Sequence, residues 1–160
     1  MDNEIMMVKL VLNNWYGQIK RISDLFNSLS DEQLMNETAP GRNRGIYLLG
    51  HLTAVHDGML PLLGFGKQQY PELNEIFITK ADREVADLPS LVELKADWEN
   101  VNTILAKHFD SLQPGEWLQK HTAVTAEAFE KEPHRNKLNV LLSRLTHLSY
   151  HYGQLMYLKK

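Results

Sequence analysis

The segment IMMVKLVLNNWYGQIKRISDLFNSL, residues 5–29, places Ile5, Val8, Leu12, Trp15, Ile19, Ile22, Phe26 and Leu29 at alternating intervals of three and four. An α-helix turns about 100° per residue, so this spacing gathers all eight side chains into one apolar stripe. A stripe sustained over seven turns is what a packed helical seam requires, in a bundle or in a dimeric coiled coil. Working outward, Ser30 and Gln33 form a possible capping box for a short additional turn. A second helix is expected after the turn Ala39-Pro-Gly-Arg-Asn43, with Asn43 as its cap and its end near Leu63.

A third helix begins at the capping box Ser90 to Glu93, carries Leu91, Leu94, Trp98, Val101, Leu105 and Leu112, and stops before Gln113-Pro-Gly115. The fourth opens after Pro133 with Asn136 as cap and carries Leu141, Leu145, Leu148, Tyr152 and Leu155. No strand alternation, internal repeat or low-complexity segment interrupts this pattern. The expected fold is therefore all-α, a four-helix bundle formed by a single domain over residues 1–160. Residues 64–89 and 113–136 are longer than antiparallel neighbours need, which points to long crossover connections or lids bordering a site.

Composition narrows the function. A hydrophobic fraction of 43% and a charged fraction of 23% are ordinary for a globular protein. Seventeen basic against twenty acidic residues give a net charge of -3 and a pI near 6.1, which argues against a nucleic-acid footprint. There is no cysteine, so a disulfide framework, a thiolate-bound zinc and a thiol nucleophile are all excluded. Acidic residues near the start, and no apolar run approaching the roughly twenty residues of a membrane span, give the expectation of a soluble, cytoplasmic protein without membrane contact.

Of the seven histidines, His56, His108, His121 and His134 read as ordinary surface or core residues. His147 and His151 differ, because four residues of helix leave two side chains about 40° apart and one turn up, close enough to chelate one ion. Relative to Leu141 they fall near about -120° and -80°, with Gln154 near about -140°, a polar strip beside the apolar seam. Such a strip serves either a metal or hydrogen bonds to other helices.

His51 lies on a face of the second helix made of Tyr47, Leu48, Ala54, Val55, Gly58 and Leu62, which should turn inward. Gly50, Ala54 and Gly58 run beside it, leaving room either for close packing or for a metal site. His51, His147 and His151 together would offer three neutral imidazoles to a divalent transition metal and leave a coordination position open, the plan of a catalytic or substrate-binding centre. Gln154 could orient a bound water or a histidine from behind, or make an interhelical hydrogen bond. Arg42, Arg44, Tyr47 and Arg144 are polar candidates for anionic groups of a substrate. Glu-x-x-His, His-Glu-x-x-His, the phosphate-binding loop and the Gly-x-Ser-x-Gly elbow are all absent.

The long first helix, His51 in LLGHLTAVHD, the His147, His151, Gly153 and Gln154 pattern of THLSYHYGQ, and Pro40 to Asn43 before the second helix resemble the DinB/YfiT-like superfamily over essentially the whole chain. The resemblance implies up-down-down-up helix order, a three-histidine divalent metal site, zinc or nickel foremost, and a homodimer. It implies a metal-dependent transferase or isomerase acting on a small-molecule substrate with a low-molecular-weight thiol such as bacillithiol, mycothiol or glutathione. Three other functions stay open beside it: a related hydrolase, a non-catalytic metal-binding or small-molecule-binding stress-response protein, and a helical interaction module in which all three histidines are structural. Tyr152 stands where relatives often carry a basic residue.

Overall fold

The computed structural model describes residues 3–159, among which every regular element is helical and none is a strand. Helix α1 (Asn3–Ser28) is followed by α2 (Asp31–Met35), α3 (Gly45–Asp57), α4 (Met59–Leu63), a π-helical turn (Glu75–Thr79), α5 (Leu91–Ser111), α6 (Pro114–Trp117), α7 (Ala126–Lys131) and α8 (Lys137–Leu155), which tightens into a final 3-10 turn at Met156–Leu158. The four longest helices pack α3 on α5 and α1 on α8, and contacts of α3 with α8 and of α1 with α5 complete the core.

The α1 stripe is buried at Val8, Trp15, Ile22 and Phe26 and half-buried at Ile5, Leu12 and Ile19. Gln18 and Leu25 are buried as well, because α1 is covered by both α5 and α8 and so buries an arc wider than one seam. Trp15, Trp98, Phe26 and Phe109 fill the centre, and each such side chain contributes roughly 1.5–3 kcal/mol by leaving water. Exposed pairs such as Lys20 with Asp24 contribute about 1 kcal/mol or less, so apolar packing holds the helices together.

The capping boxes expected at Ser30 and Ser90 and the Asn136 cap of α8 are all present. The second helix departs from expectation at both ends. Its cap is Arg44 rather than Asn43, and no side chain caps it; the Arg44 N–H donates to Asp82 Oδ2 at 2.8 Å while the guanidinium grips the same carboxylate at 2.7 Å. At the other end the helix stops at Asp57, and α4 is a separate short helix. Pro61 has no N–H to offer the Asp57 carbonyl, which breaks the ladder there.

The segment from Gly64 to Pro89 is folded onto α3. Asp57, fully buried, accepts from the N–H groups of Gln69 and Tyr70 at 2.8 and 2.9 Å. Phe77, also fully buried, seats its ring against Gly50, where any Cβ would collide with it. The small residue at position 50 therefore accommodates a phenylalanine side chain. The connection from Leu112 to Asn136 contains α6 and α7, with Trp117 buried in the core.

His56, expected to be unremarkable, is fully buried between Trp15 and Trp98, with ring centroids 4.9 and 5.0 Å away. Its Nδ1–H donates to Asn102 Oδ1 at 2.9 Å, and its Nε2 meets no partner. Burial pushes this imidazole down to about 3, because a proton would place a charge in the apolar core.

Gly50→Ala is expected to destabilise the fold by about 1–3 kcal/mol through overpacking against Phe77, measurable as a lowered denaturant midpoint. Between the unfolded histidine value of about 6.5 and the native value of about 3, only the unfolded chain takes the His56 proton, so stability falls as the pH drops through that window. Denaturation at several pH values should show the native chain losing about 1.4 kcal/mol per unit more steeply below pH 6 than His56→Gln.

Candidate metal centre

Helix α8 supplies two of the three imidazoles without help from the rest of the chain. His147 and His151 are one turn apart, and their Nε2 atoms approach to 3.0 Å. The third comes from α3, which lies against α8 and brings His51 Nε2 to 3.2 Å from His147 Nε2. One ligand nitrogen from each residue lies within 4.8 Å of the other two, and the rings meet edge-on, with interplanar angles of 63°, 74° and 87°.

The atoms behind the rings decide what the front can do. His51 Nδ1–H donates to the Phe77 carbonyl at 2.8 Å, and His151 Nδ1–H donates to Gln154 Oε1 at 2.7 Å. The Gln154 amide is in turn oriented by its Nε2–H bond to the Tyr150 hydroxyl at 3.3 Å. With the proton held on Nδ1, the Nε2 of both His51 and His151 carries a lone pair directed at His147. A proton on His147 Nε2 could serve one of these neighbours and leave the other facing it unpaired. His147 Nδ1 is buried and has no partner.

A cation shared by all three nitrogens removes this conflict. Three imidazoles around a tetrahedral ion at about 2.1 Å place their nitrogens about 3.4 Å apart, close to the 3.0 and 3.2 Å observed. The donor set thus fits a divalent transition metal in number, chemistry and spacing. All three imidazoles are held below the ordinary histidine range, first by burial. At His147, pushed down to about 4, the neighbouring His151, His51 and Arg144 add to the effect. At neutral pH the rings are therefore uncharged, the form in which imidazole coordinates.

The other polar residues divide. Arg44 is taken up by Asp82, and the Tyr47 hydroxyl donates to the Lys80 carbonyl at 2.7 Å while its ring stacks on His51. Both act on the fold around the site. Arg42 lines a cleft of about 290 Å³ with Thr38, Ala39, Tyr150, Gln154 and Tyr157, beside the back of His151. Tyr152 is half-buried against the core. Gln154 bonds to His151 within its own helix rather than to another helix. Sequence reasoning missed the Phe77 carbonyl, a backbone group with no residue signature, and the acids Asp57 and Asp82 that anchor the segment carrying it.

At pH 7, nitrogen-detected NMR of metal-free protein should show His51 and His151 as Nδ1–H tautomers. Gln154→Leu should abolish the preference at His151 and leave that at His51 in place.

No curated protein matches the chain. A family model described as the DinB superfamily matches residues 15–155, a span that takes in the three histidines, and the chain belongs to that superfamily.

Proposed function

We propose that this protein is a metal-dependent enzyme of the DinB superfamily, a four-helix bundle of up-down-down-up order in which His51, His147 and His151 hold a divalent transition metal, zinc or nickel foremost. The observation that carries the reading is the convergence of three Nε2 atoms, two of them directed forward by bonds at Nδ1 to the Phe77 carbonyl and Gln154. A divalent cation at this point would supply a Lewis acid able to lower the pKa of a water or a thiol at its open position. The chain contributes the rest. The Phe77 carbonyl and Gln154 keep two ligand rings in the binding tautomer, and the buried surroundings keep all three imidazoles neutral.

Among the described residues no carboxylate joins the three histidines. That favours a reaction whose nucleophile needs no protein general base, such as a transferase using a small thiol cofactor on an electrophilic small molecule, ahead of a related hydrolase. The same absence also supports a second reading, a non-catalytic protein that binds a metal or small molecule in a stress response. We further propose a cytoplasmic homodimer without nucleic-acid partners, in keeping with the net charge of -3 and the absence of any described helix long and apolar enough to cross a membrane.

Tag-free protein should contain about one equivalent of metal, and His51→Ala and His151→Ala should each lose it. Unchanged metal content in both variants would sink the reading. Gln154→Ala should retain the site with roughly 10- to 100-fold weaker affinity. Metal-loaded protein incubated with a panel of thiols and electrophiles should give a product that disappears in His51→Ala, whereas a thermal shift without product would favour the binding protein.

A further inference from the structure

The arginines of the described residues differ in what they meet. Arg44, Arg83 and Arg135 each pair with a carboxylate, that of Asp82, Glu37 and Glu132 respectively, Arg21 donates to Gln18, and Arg42 is exposed to solvent. Arg144 is half-buried, its Nε–H is shut off from water, and that donor meets no acceptor. Its two terminal amino groups meet no acceptor of the described residues either, but they are not shut off from water, so it is this end of the guanidinium that an acceptor brought from outside can reach.

Its place in the fold says where that acceptor would sit. Arg144 precedes His147 by three residues of α8, which puts it about 60° round and about 4.5 Å along the same helix face. Its charge contributes to holding both His51 and His147 below the ordinary histidine range, so it acts on both helices that form the centre. Three neutral imidazoles leave the charge of a divalent ion uncompensated, and no carboxylate of the described residues lies with them. A metal at the centre and the guanidinium beside it would form two adjacent cations with no protein anion between them, an arrangement stabilised by an anionic ligand.

We propose that Arg144 is the recognition residue for an organic carboxylate, the acidic group of the substrate or thiol cofactor, held beside the three-histidine centre. The proposal rests on the metal reading for the second cation, while the unpartnered Arg144 donor stands without it. A planar guanidinium can give two parallel hydrogen bonds to a carboxylate, which distinguishes that group from a neutral amide of the same shape.

The test follows the Arg144 Nε–H resonance, assigned by its loss in Arg144→Lys, during titration of metal-free and zinc-loaded protein with propionate and with propionamide. Propionate should shift this signal saturably in both forms and bind more tightly to the zinc-loaded one, while propionamide leaves it in place. Arg144→Gln should keep the zinc stoichiometry and bind propionate about tenfold more weakly, with Arg144→Lys intermediate. An Arg144 signal that ignores propionate, or responds equally to the amide, overturns the proposal, as does undiminished propionate affinity in Arg144→Gln. A zinc stoichiometry near zero with a responsive Arg144 would instead remove the metal reading and leave the carboxylate site.

Discussion

The seating of Phe77 against Gly50 is the contact on which the rest of the centre depends. It places a backbone carbonyl 2.8 Å from His51 Nδ1, and that carbonyl can only accept, so the proton stays at the back of the ring and the lone pair faces α8. Three further ties hold the same segment along α3. Asp57 receives the amides of Gln69 and Tyr70, the Tyr47 hydroxyl reaches the Lys80 carbonyl, and Asp82 grips Arg44. The ties run from the end of α3 to its start, so the segment is fixed on both sides of Phe77. Buried hydrogen bonds to charged groups are the stronger kind, and two of the three involve a carboxylate.

Helix α8 works by a different logic. His151 is oriented by Gln154 from the next turn of the same helix, and Gln154 by Tyr150, so that arm is built locally. His147 is left with a buried Nδ1 and no partner, held by the packing around it. The three arms thus have three supports: a carbonyl from a distant segment, a side chain of the same helix, and packing alone. On the proposed reading the chain supplies lone pairs and cations but no anion, which makes the ligand's own negative charge part of the completed site.

Much of this was legible beforehand, and the reasons are specific. The α1 stripe, the capping boxes at Ser30 and Ser90 and the Asn136 cap follow from interactions within a few residues, which the sequence displays directly. The histidine pair of α8 and its neighbour Gln154 are also local, because a helix repeats every 3.6 residues whatever it packs against. Helix α3 was harder to read. It is nearly all apolar and buried on several sides, so periodicity says little about which face meets what, and the N–H of Arg44, the residue that precedes it, is held by Asp82, 38 residues away in sequence. His56 has the same cause: a histidine on a helix surrounded by other elements lies in the core although its own neighbours do not announce it.

The sequence by itself determined that this chain is helical, that it carries two histidines one helical turn apart, and that His51 belongs on an inward face, because each depends on helical spacing and the nature of adjacent side chains. Tertiary structure decided that the three Nε2 atoms converge, that the small residue at position 50 accommodates Phe77, that His56 is buried between two tryptophans, and that Arg144 Nε has no partner. Each of these depends on groups from separate elements meeting in space, and the Phe77 carbonyl that sets His51 belongs to the backbone, where every residue type presents the same atom.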